Sequence, residues 1–386
     1  MLRLLIISDF TEAFPSKLLK GIVSYSRRKE QWGICRMPPA YKKLIGIPGV
    51  VQWAKSWRAD AVIGQFDETD DVDLFAKNGI VAVAQDYKKR FTTIPNITAD
   101  YIGTGRMAAR YYIDRGFHHF GFFGFSHVCW SDERLEGFRQ EIEAAGFGDS
   151  LHTYNMQDID HLWYYEQEQL TRWLKSIPKP IGIMACDDNQ GNNLVEACHA
   201  AGIKIPYDLS VMGVDNDELL CSLGSTPLSS IQVNIEEGGF QTAQLIERRV
   251  QNPGLPVEDI VLRPVKIVGR ISTASFATND LQIQKAVKFI HQNDNRKISV
   301  EDVMEKVAMS RRLLERRFKS VTGQTIYQYI TDLKLKRFCQ MMLDSDEPLN
   351  DIAVALGETD TKSISRRFKQ IYGATPGEWR QQNQNR

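Results

Sequence analysis

A two-lobed α/β domain built on parallel sheets, followed by an all-α domain with two helix-turn-helix units, is the fold class the sequence predicts. Three observations predict it. Short apolar runs alternate with amphipathic stretches from residue 2 to about 270; strand-like runs then cease; and the octet RRFKSVTG at 316–323 returns fifty positions later as RRFKQIYG at 366–373.

The runs LRLLIIS, ADAVIGQF, GIVAVAQD, HFGFFGF, IGIMACDD and LSVMGVDN each lie near a helical pattern such as PSKLLKGIVSYSRRK. Apolar strands alternating with helices predict a parallel sheet covered on its faces. That many strands over about 270 residues fit two doubly wound lobes better than one, and such sheets bind ligands beyond the carboxyl ends of their strands. After the last strand-like run, DIVLRPVKIVG, the stretch GRISTASFATND turns small and polar. The expected division is a two-lobed domain at 1–270, a linker at 271–280 and a helical domain at 281–386.

Composition agrees with this plan. A chain of 386 residues has room for two or three domains at roughly 150 residues each. Its 42% hydrophobic and 25% charged residues are those of a globular protein, and no apolar run approaches the ~18 residues of a membrane span. The start, MLRLLIISDF, is interrupted by Asp9 and lacks a small-residue cleavage site, so it reads as a first strand rather than a signal peptide. The expected location is the cytoplasm. The six cysteines are scattered, without C-x-x-C or zinc-like pairing with the seven histidines, so they read as reduced thiols in cores. The pair His118-His119 has no second ligand cluster beside it, and neither a metal nor a cofactor is expected. Formal charge is zero overall, yet residues 281–386 carry 19 Lys and Arg against 13 Asp and Glu, leaving the rest of the chain equally acidic. Only the C-terminal part is therefore expected to meet nucleic acid.

The strand ends supply the candidate ligand site: Ser8, Asp9 and Phe10; Gln65, Phe66 and Asp67; Gln85 and Asp86; Ser126 through Trp130; Asp187, Asp188 and Asn189; Asp215 and Asn216. Carboxylates and amides bond hydroxyls in fixed directions, and an aromatic face covers the C–H side of a sugar ring, so the mixture suits a small polyol. The same residue types cap helices, and at any single position either reading serves. As a set, rich in carboxylates and accompanied by Phe10, Phe66 and Trp130, they favour a binding site. Adjacent carboxylates such as Asp187 and Asp188 point in different directions after a strand, so glycoside chemistry is not readable from them. There is no G-x-S-x-G, P-loop or G-x-G-x-x-G; the G-x-G of YIGTGRMAAR lies inside a helical pattern. Binding without turnover is the better reading. A sugar-processing enzyme with an accessory helical domain remains the alternative, and a transport-type binding protein is disfavoured by the basic repeat.

The repeat explains the C-terminal domain. Leu314, Phe318 and Val321, like Ile364, Phe368 and Ile371, stand at i, i+4, i+7, one stripe of a helix, and Gly323 and Gly373 supply the stops. Each stripe is expected to be core. At 100° per residue the opposite faces carry Arg312, Arg316 and Lys319 in one copy and Lys362, Arg366 and Lys369 in the other; Arg317 and Arg367 fall on the flank. Each basic helix follows a shorter one: SVEDVMEKVAM begins with a Ser299/Asp302 capping pair and the chain restarts at Ser310, while LNDIAVALG can cap at Asn350, stop at Gly357 and restart at Asp360 or Thr361. A helix, a tight turn and a second helix with a basic face form a helix-turn-helix, whose second helix enters the major groove. Arginine there can bond guanine with both prongs, whereas lysine more often meets phosphate. The helix expected between the copies, 325–344, spans ~30 Å at 1.5 Å per residue, close to the ~34 Å of one DNA turn.

These residues carry a resemblance. The segment 281–386, with GETDTKSISRRFKQIYGATPGEWR near its end, resembles the AraC/XylS family of bacterial transcription regulators. It departs from that pattern at Glu358 and Ile364, where the family has aromatic residues. Residues 1–275 resemble the effector domain of LacI/GalR regulators, through ITADYIGTGRMAARYYIDRGFHHFGFFG, SDERLEGFRQEIEAAGF, IGIMACDDNQGNNLVEACHAAGIKIPYDLSVMGVDNDEL and LSSIQVN. The first resemblance implies base-facing roles for Arg312, Arg316, Lys362, Ser363 and Arg366. The second implies sugar contacts at Arg134, Asp187, Asp188 and Asp215, with an Asp-Asp pair where the family has Asn-Asp. Together they imply a sequence-specific DNA-binding regulator controlled by a monosaccharide, a pentose such as xylose. Its expected partners are double-stranded DNA in two successive major grooves, the sugar, a second copy of the chain and RNA polymerase. Activation of sugar-utilisation genes is the expected outcome, with repression or another sugar as the alternative.

Overall fold

The computed structural model describes every residue except Glu30, 157–166, Asn279, 294–295, Asp346, 358–360 and 385–386. The chain divides into two compact units, Met1–Thr273 and Ala274–Arg386.

In the first unit, β1 (Arg3–Ile7), β2 (Gly33–Met37), β3 (Ala61–Gln65), β4 (Val81–Gln85) and β5 (Asn96–Ala99) form one parallel sheet in the order 2-1-3-4-5. The strands β6 (Phe120–Phe125), β7 (Leu151–Met156), β8 (Ile181–Ala185), β9 (Leu209–Val214) and β10 (Ser229–Val233) repeat that order in a second sheet, 7-6-8-9-10. All six strand runs legible in the sequence are present. The single run DIVLRPVKIVG is two strands: β11 (Ile260–Leu262) joins the first sheet beside β5, and β12 (Pro264–Val268) joins the second, antiparallel to β10. The fold class is that of two doubly wound α/β lobes followed by an all-helical unit.

The helices α1 (Ala13–Ser26), α2 (Pro39–Trp57) and α3 (Asp73–Lys77) belong to the first lobe, and α4 (Tyr101–Ile113), α5 (Cys129–Ala144), α6 (Gln167–Ser176), α7 (Asp188–Ala200) and α8 (Glu218–Leu223) to the second. Between β10 and β11, α9 (Ile235–Gln251) returns to the first lobe and packs on α1. The chain thus crosses between lobes three times, and its crossings are bonded together. Asp100 N–H donates to Leu262 O at 2.8 Å, Asn234 N–H to Arg263 O at 3.1 Å, and Arg263 N–H to the Asn234 side chain at 2.6 Å. Glycines let the covering helices meet backbone to backbone. A Cβ at Gly105 of α4 would lie 2.1 Å from Arg134 O, and one at Gly137 of α5 would lie 2.0 Å from Ile102 O. The G-x-G of α4 is therefore a packing feature.

The stretch expected as a linker, 271–280, begins inside the first unit. Ser272 Oγ donates to Val211 O at 2.6 Å and accepts from Ser229 N–H at 2.8 Å, and Thr273 shares a 2.8 Å hydroxyl contact with Tyr111. Its first three residues are packed structure, a correction forced by buried hydroxyls that need partners.

The second unit is helical: α10 (Leu281–Gln292), α11 (Val300–Met304), α12 (Arg311–Thr322), α13 (Ile326–Asp344), α14 (Leu349–Ala355), α15 (Thr361–Tyr372) and α16 (Pro376–Gln384). Two separate cores share α13. Ile326 and Ile330 pack with Leu314 and Phe318, while Leu335, Phe338 and Met342 pack with Ile352, Ile364 and Phe368. The capping box at Ser299 and Asp302 forms as expected. The cap expected at Asn350 does not: Pro348 occupies the N-cap position and Asn350 lies within α14. Asp360 and Glu358 lie outside the described residues.

Among the described residues no cysteine forms a disulfide, and Cys198 and Cys221 lie in the core of the second lobe. Among the described residues, no helix is long and apolar enough to cross a membrane and no three His, Cys, Asp or Glu side chains could hold a metal ion.

Candidate functional site

The carboxyl ends of the strands in the two lobes face one cleft. From the second lobe comes Arg134 of α5, only 4% exposed, whose guanidinium lies between the Tyr101 and Trp130 rings, 5.2 and 5.6 Å from their centroids. It donates to Cys186 O and, at 3.4 Å, to Asp215 Oδ1; its Nε has no partner among the described residues. Tyr101 heads α4 directly after the first crossing, so its buried ring lies beneath Arg134 and also 5.8 Å from Arg90 of the first lobe.

Asp187 caps α7, accepting from Gln190 N–H at 2.7 Å. Burial, with the nearby Asp215 carboxylate, pushes its pKa up to about 6. Asp215 and Asn216 follow β9 with φ of 93° and 49°, a left-handed conformation that costs energy for residues with a Cβ. The turn is held from all sides. Lys17 of α1 donates to both its carbonyls at 2.7 Å, Asn216 N–H donates to Ser230 Oγ at 2.9 Å, and Arg270 donates to the Asn216 side chain at 2.8 Å.

The first lobe contributes Asp9, whose carboxylate accepts from Thr11 N–H and Oγ at 2.9 and 2.7 Å, and Phe10, whose ring carries the Arg36 guanidinium 5.2 Å away. Gln65 is half-buried at the end of β3. Asp86 is buried, with one oxygen on Arg90 at 3.0 Å and the other unpartnered among the described residues; burial raises its pKa. Arg90 continues across the cleft to both oxygens of Glu133, at 2.7 and 2.9 Å.

Sequence reasoning missed Glu12, Lys17 and Tyr101. Glu12 accepts from Asn189 of the opposite lobe at 2.6 Å, and burial beside Asp187, Asp9 and Asp215 pushes its pKa up to about 7. Extending the strand-end survey by a few residues, into the first turn of the following helix, would have reached Glu12 and Tyr101. Lys17 lies deeper in α1 and carries no such signal.

Three expected residues do not join this group. Phe66 is 1% exposed and packs on Phe75 and Phe91 in the first lobe's core. Strand alternation sends it to the face opposite Gln65. Asp67 accepts from the buried Lys42 ammonium at 2.7 Å, a bond Lys42 repeats to Asp70. Asp188 turns down into its own lobe, accepting from Asp217 N–H at 2.7 Å and lying so close to Gly213 that a Cβ there would come within 2.2 Å of Oδ1. Burial, then the neighbouring Asp215 and Asp187 charges, push its pKa up to about 8 despite the Ser230 hydroxyl. Asp188 therefore keeps a proton in the folded chain that the unfolded chain releases near pH 4. Its contribution to stability is full below pH 4 and is lost as pH rises through 8. Asp188→Asn should accordingly raise the first unit's thermal midpoint, relative to the unchanged chain, more at pH 8 than at pH 5. An equal difference at both pH values in calorimetric scans would show that Asp188 is not the group responsible.

In the second unit the two halves repeat each other. Phe318 meets Tyr329 edge-on at 5.5 Å, and Phe368 meets Trp379 edge-on at 5.7 Å. Gly323 and Gly373 end their helices at φ 75° and 73°, where glycine alone is unstrained. The stripe is core at Leu314, Phe318, Ile364 and Phe368, but Ile371 is 55% exposed and Tyr372 stacks on Phe368 in its place, a correction to the expected periodicity. Arg312, Arg316 and Lys319 are exposed on α12, and Lys362, Arg366 and Lys369 on α15; the side chain of Ser363 lies outside the described residues. The flanking arginines turn to the protein. Arg317 pairs with Asp280 at 3.0 Å, and Arg367 bonds the Tyr327 hydroxyl with its guanidinium 5.1 Å from that ring's centroid. At 19 residues, α13 spans roughly 28 Å between the repeats.

Residues 109–273 match the periplasmic binding protein-like domain family, and residues 303–382 match a helix-turn-helix domain family. The chain is 25% identical to the xylose operon regulatory protein of Escherichia coli K12, covering 99% of this chain and 97% of that one. It is 29% identical to the protein of the same name from Haemophilus influenzae, covering 83% and 84%. A solved structure described as a xylose-binding transcription activator matches 99% of this chain and 98% of its own, with a TM-score of 0.66 and 24% identity.

Proposed function

We propose that the chain is an AraC-type DNA-binding transcription regulator with a periplasmic-binding-protein-like sugar-binding domain, and that its effector is an uncharged pentose, xylose, bound in the cleft between the lobes. Arg134 carries this reading. It is buried between two aromatic rings, anchored to Cys186 and Asp215, and has a free Nε–H among the described residues. Around it stand Asp9, Glu12, Asp187, Asp215 and Asn189, acceptors and donors suited to ring hydroxyls. So many carboxylates repel a phosphate or an acid sugar, and a neutral polyol fits. The relatives named xylose operon regulatory proteins support the choice of pentose. Both are named as regulatory proteins, which supports regulation rather than turnover as the role of this chain.

In this reading Gln65, Asp86, Phe10 and Trp130 complete the pocket wall, while Asp67 and Asp188 shape it from behind. The base readers are Arg312 and Arg316 in one major groove and Lys362, Ser363 and Arg366 in the next, with Lys319 and Lys369 on phosphates. Two copies acting in the cytoplasm present these helices, and sugar binding activates transcription through RNA polymerase. A ligand shifts such an equilibrium only by its differential affinity for two states, so DNA must tighten sugar binding by the factor that sugar tightens DNA binding.

A thermal-shift screen over pentoses, hexoses and xylose 5-phosphate tests the effector. Xylose should raise the midpoint by mass action; a shift with a hexose or the phosphate and none with xylose would overturn the assignment. For the DNA face, Arg366→Ala should cost roughly 1–3 kcal/mol and relax the preference at one base pair. Anisotropy titrations on single-base variants of the preferred duplex read this, and an equal loss on every duplex would make Arg366 a phosphate contact.

A further inference from the structure

The repeat preserves a second arginine in each copy, and the two copies use it differently. Arg367 bonds Tyr327, at the end of the shared helix α13 that packs in the first half. Arg317 reaches out of its half-repeat to Asp280, the N-cap of α10 and the point where the connecting segment enters the helical unit. Asp280 divides its oxygens. Oδ1 accepts from Gln282 and Ile283 N–H at 3.0 and 3.4 Å, and Oδ2 takes Arg317 at 3.0 Å. The entering chain is tied in at the same place. Asp280 N–H donates to Thr278 Oγ at 3.1 Å, and Gln284 donates to Thr278 O at 2.7 Å. Two further contacts reach the same helix-turn-helix: Gln282 accepts from Ala308 N–H at 3.0 Å, in the turn before α12, and Phe276 lies 6.2 Å from Tyr329, which packs on Phe318 of α12. The contacts of Phe276, Asp280 and Gln282 thus converge on the first helix-turn-helix and on α13.

We propose that Arg317 is a positioning residue, and that the Asp280–Arg317 pair fixes the angle of the first recognition helix to the incoming connector, so that the effector signal enters the helical unit at the first helix-turn-helix. The idea rests on the sugar-controlled reading above. Chain continuity makes 274–280 the covalent route from the first unit. The ion pair turns a displacement of that route into a rotation of α12, because it grips α12 on the flank, one residue from the outward Arg316.

The test is a double-mutant cycle in the full chain, with Asp280→Asn, which keeps a good N-cap, Arg317→Gln, and both together. The DNA is the duplex that the unchanged chain selects from random sequence. Each single variant should lower the preference for the selected over a scrambled duplex by up to about fivefold, the range of an exposed ion pair. The double variant should be no worse than either single, and the salt slope should stay unchanged. Additive losses, or a slope reduced by about 1 in Arg317→Gln alone, would make Arg317 a phosphate contact and overturn the proposal. With xylose added, the sugar-dependent gain in DNA affinity should shrink in all three variants; a gain equal to that of the unchanged chain would also overturn it. If xylose leaves the unchanged chain's DNA affinity unaltered, the effector assignment fails, and the cycle without sugar still decides the role of Arg317.

Discussion

Arg134→Met is expected to abolish measurable xylose binding, lowering affinity by at least about 100-fold, the loss seen when one partner of a buried, hydrogen-bonded charge pair is removed. Methionine keeps a flexible apolar stem between Tyr101 and Trp130, so packing is largely retained. What goes is the fork that joins Cys186 O to Asp215 and the charge that offsets the cleft's carboxylates. Left alone, Asp215 sits in a strained turn next to Asp187 and Glu12. Removing one partner of a buried pair costs ~3–5 kcal/mol, so the first unit's melting temperature should fall as well. Arg134→Lys keeps the charge but not the planar fork and should recover only part of the loss. Calorimetric titration with xylose measures both, and an unchanged dissociation constant in Arg134→Met would remove Arg134 from the pocket.

The second large effect is expected from Phe368→Ala. Phe368 is fully buried among Leu335, Phe338, Ile352 and Ile364, and truncating such a phenylalanine costs ~3–5 kcal/mol. Whole domains are stable by only ~5–15 kcal/mol, and this core is a fraction of one. Because Phe318 anchors a separate cluster with Leu314, Ile326 and Ile330, the damage should stop partway along α13. Hydrogen exchange should lose protection over 349–384 and keep it over 281–322, and the DNA footprint should shrink to one major groove. Loss of protection throughout would mean that the two clusters behave as one.

Much of the fold was legible because the central strands of parallel sheets are buried on both faces and read as unbroken apolar runs. The sheet edges were not. β2 and β7 are only partly buried, and polar residues break their runs, Arg36 in GICRM and His152, Thr153 and Asn155 in LHTYNM. The run containing Val261 and Ile267 looked like one strand because a switch between sheets at Arg263 leaves hydropathy untouched. For the site, the strand-end rule placed Arg134's partner Asp215 and its neighbours Asp187 and Trp130. It misplaced Asp188 and Phe66, since consecutive residues leave a strand on opposite sides, and that parity was available from the sequence. Glu12 and Lys17 act across the cleft, and a contact between residues so distant in the chain has no local signature. For the repeated arginines, helix geometry left Arg317 and Arg367 on the flank; their acceptors, Asp280 and Tyr327, come from other helices and are set by tertiary packing.

The three bonded crossings also set an order of completion during synthesis. After Ala99 the first lobe still lacks its edge strand, which begins at Ile260, and the helix from Ile235 that covers α1. The second lobe's chain must emerge in between. The ribosome therefore delivers the second lobe's central sheet, β6 to β10, before the first lobe can close. A nascent chain halted before Ile235 carries an unpaired β5 edge and a bare α1 face, the surfaces on which incomplete domains aggregate.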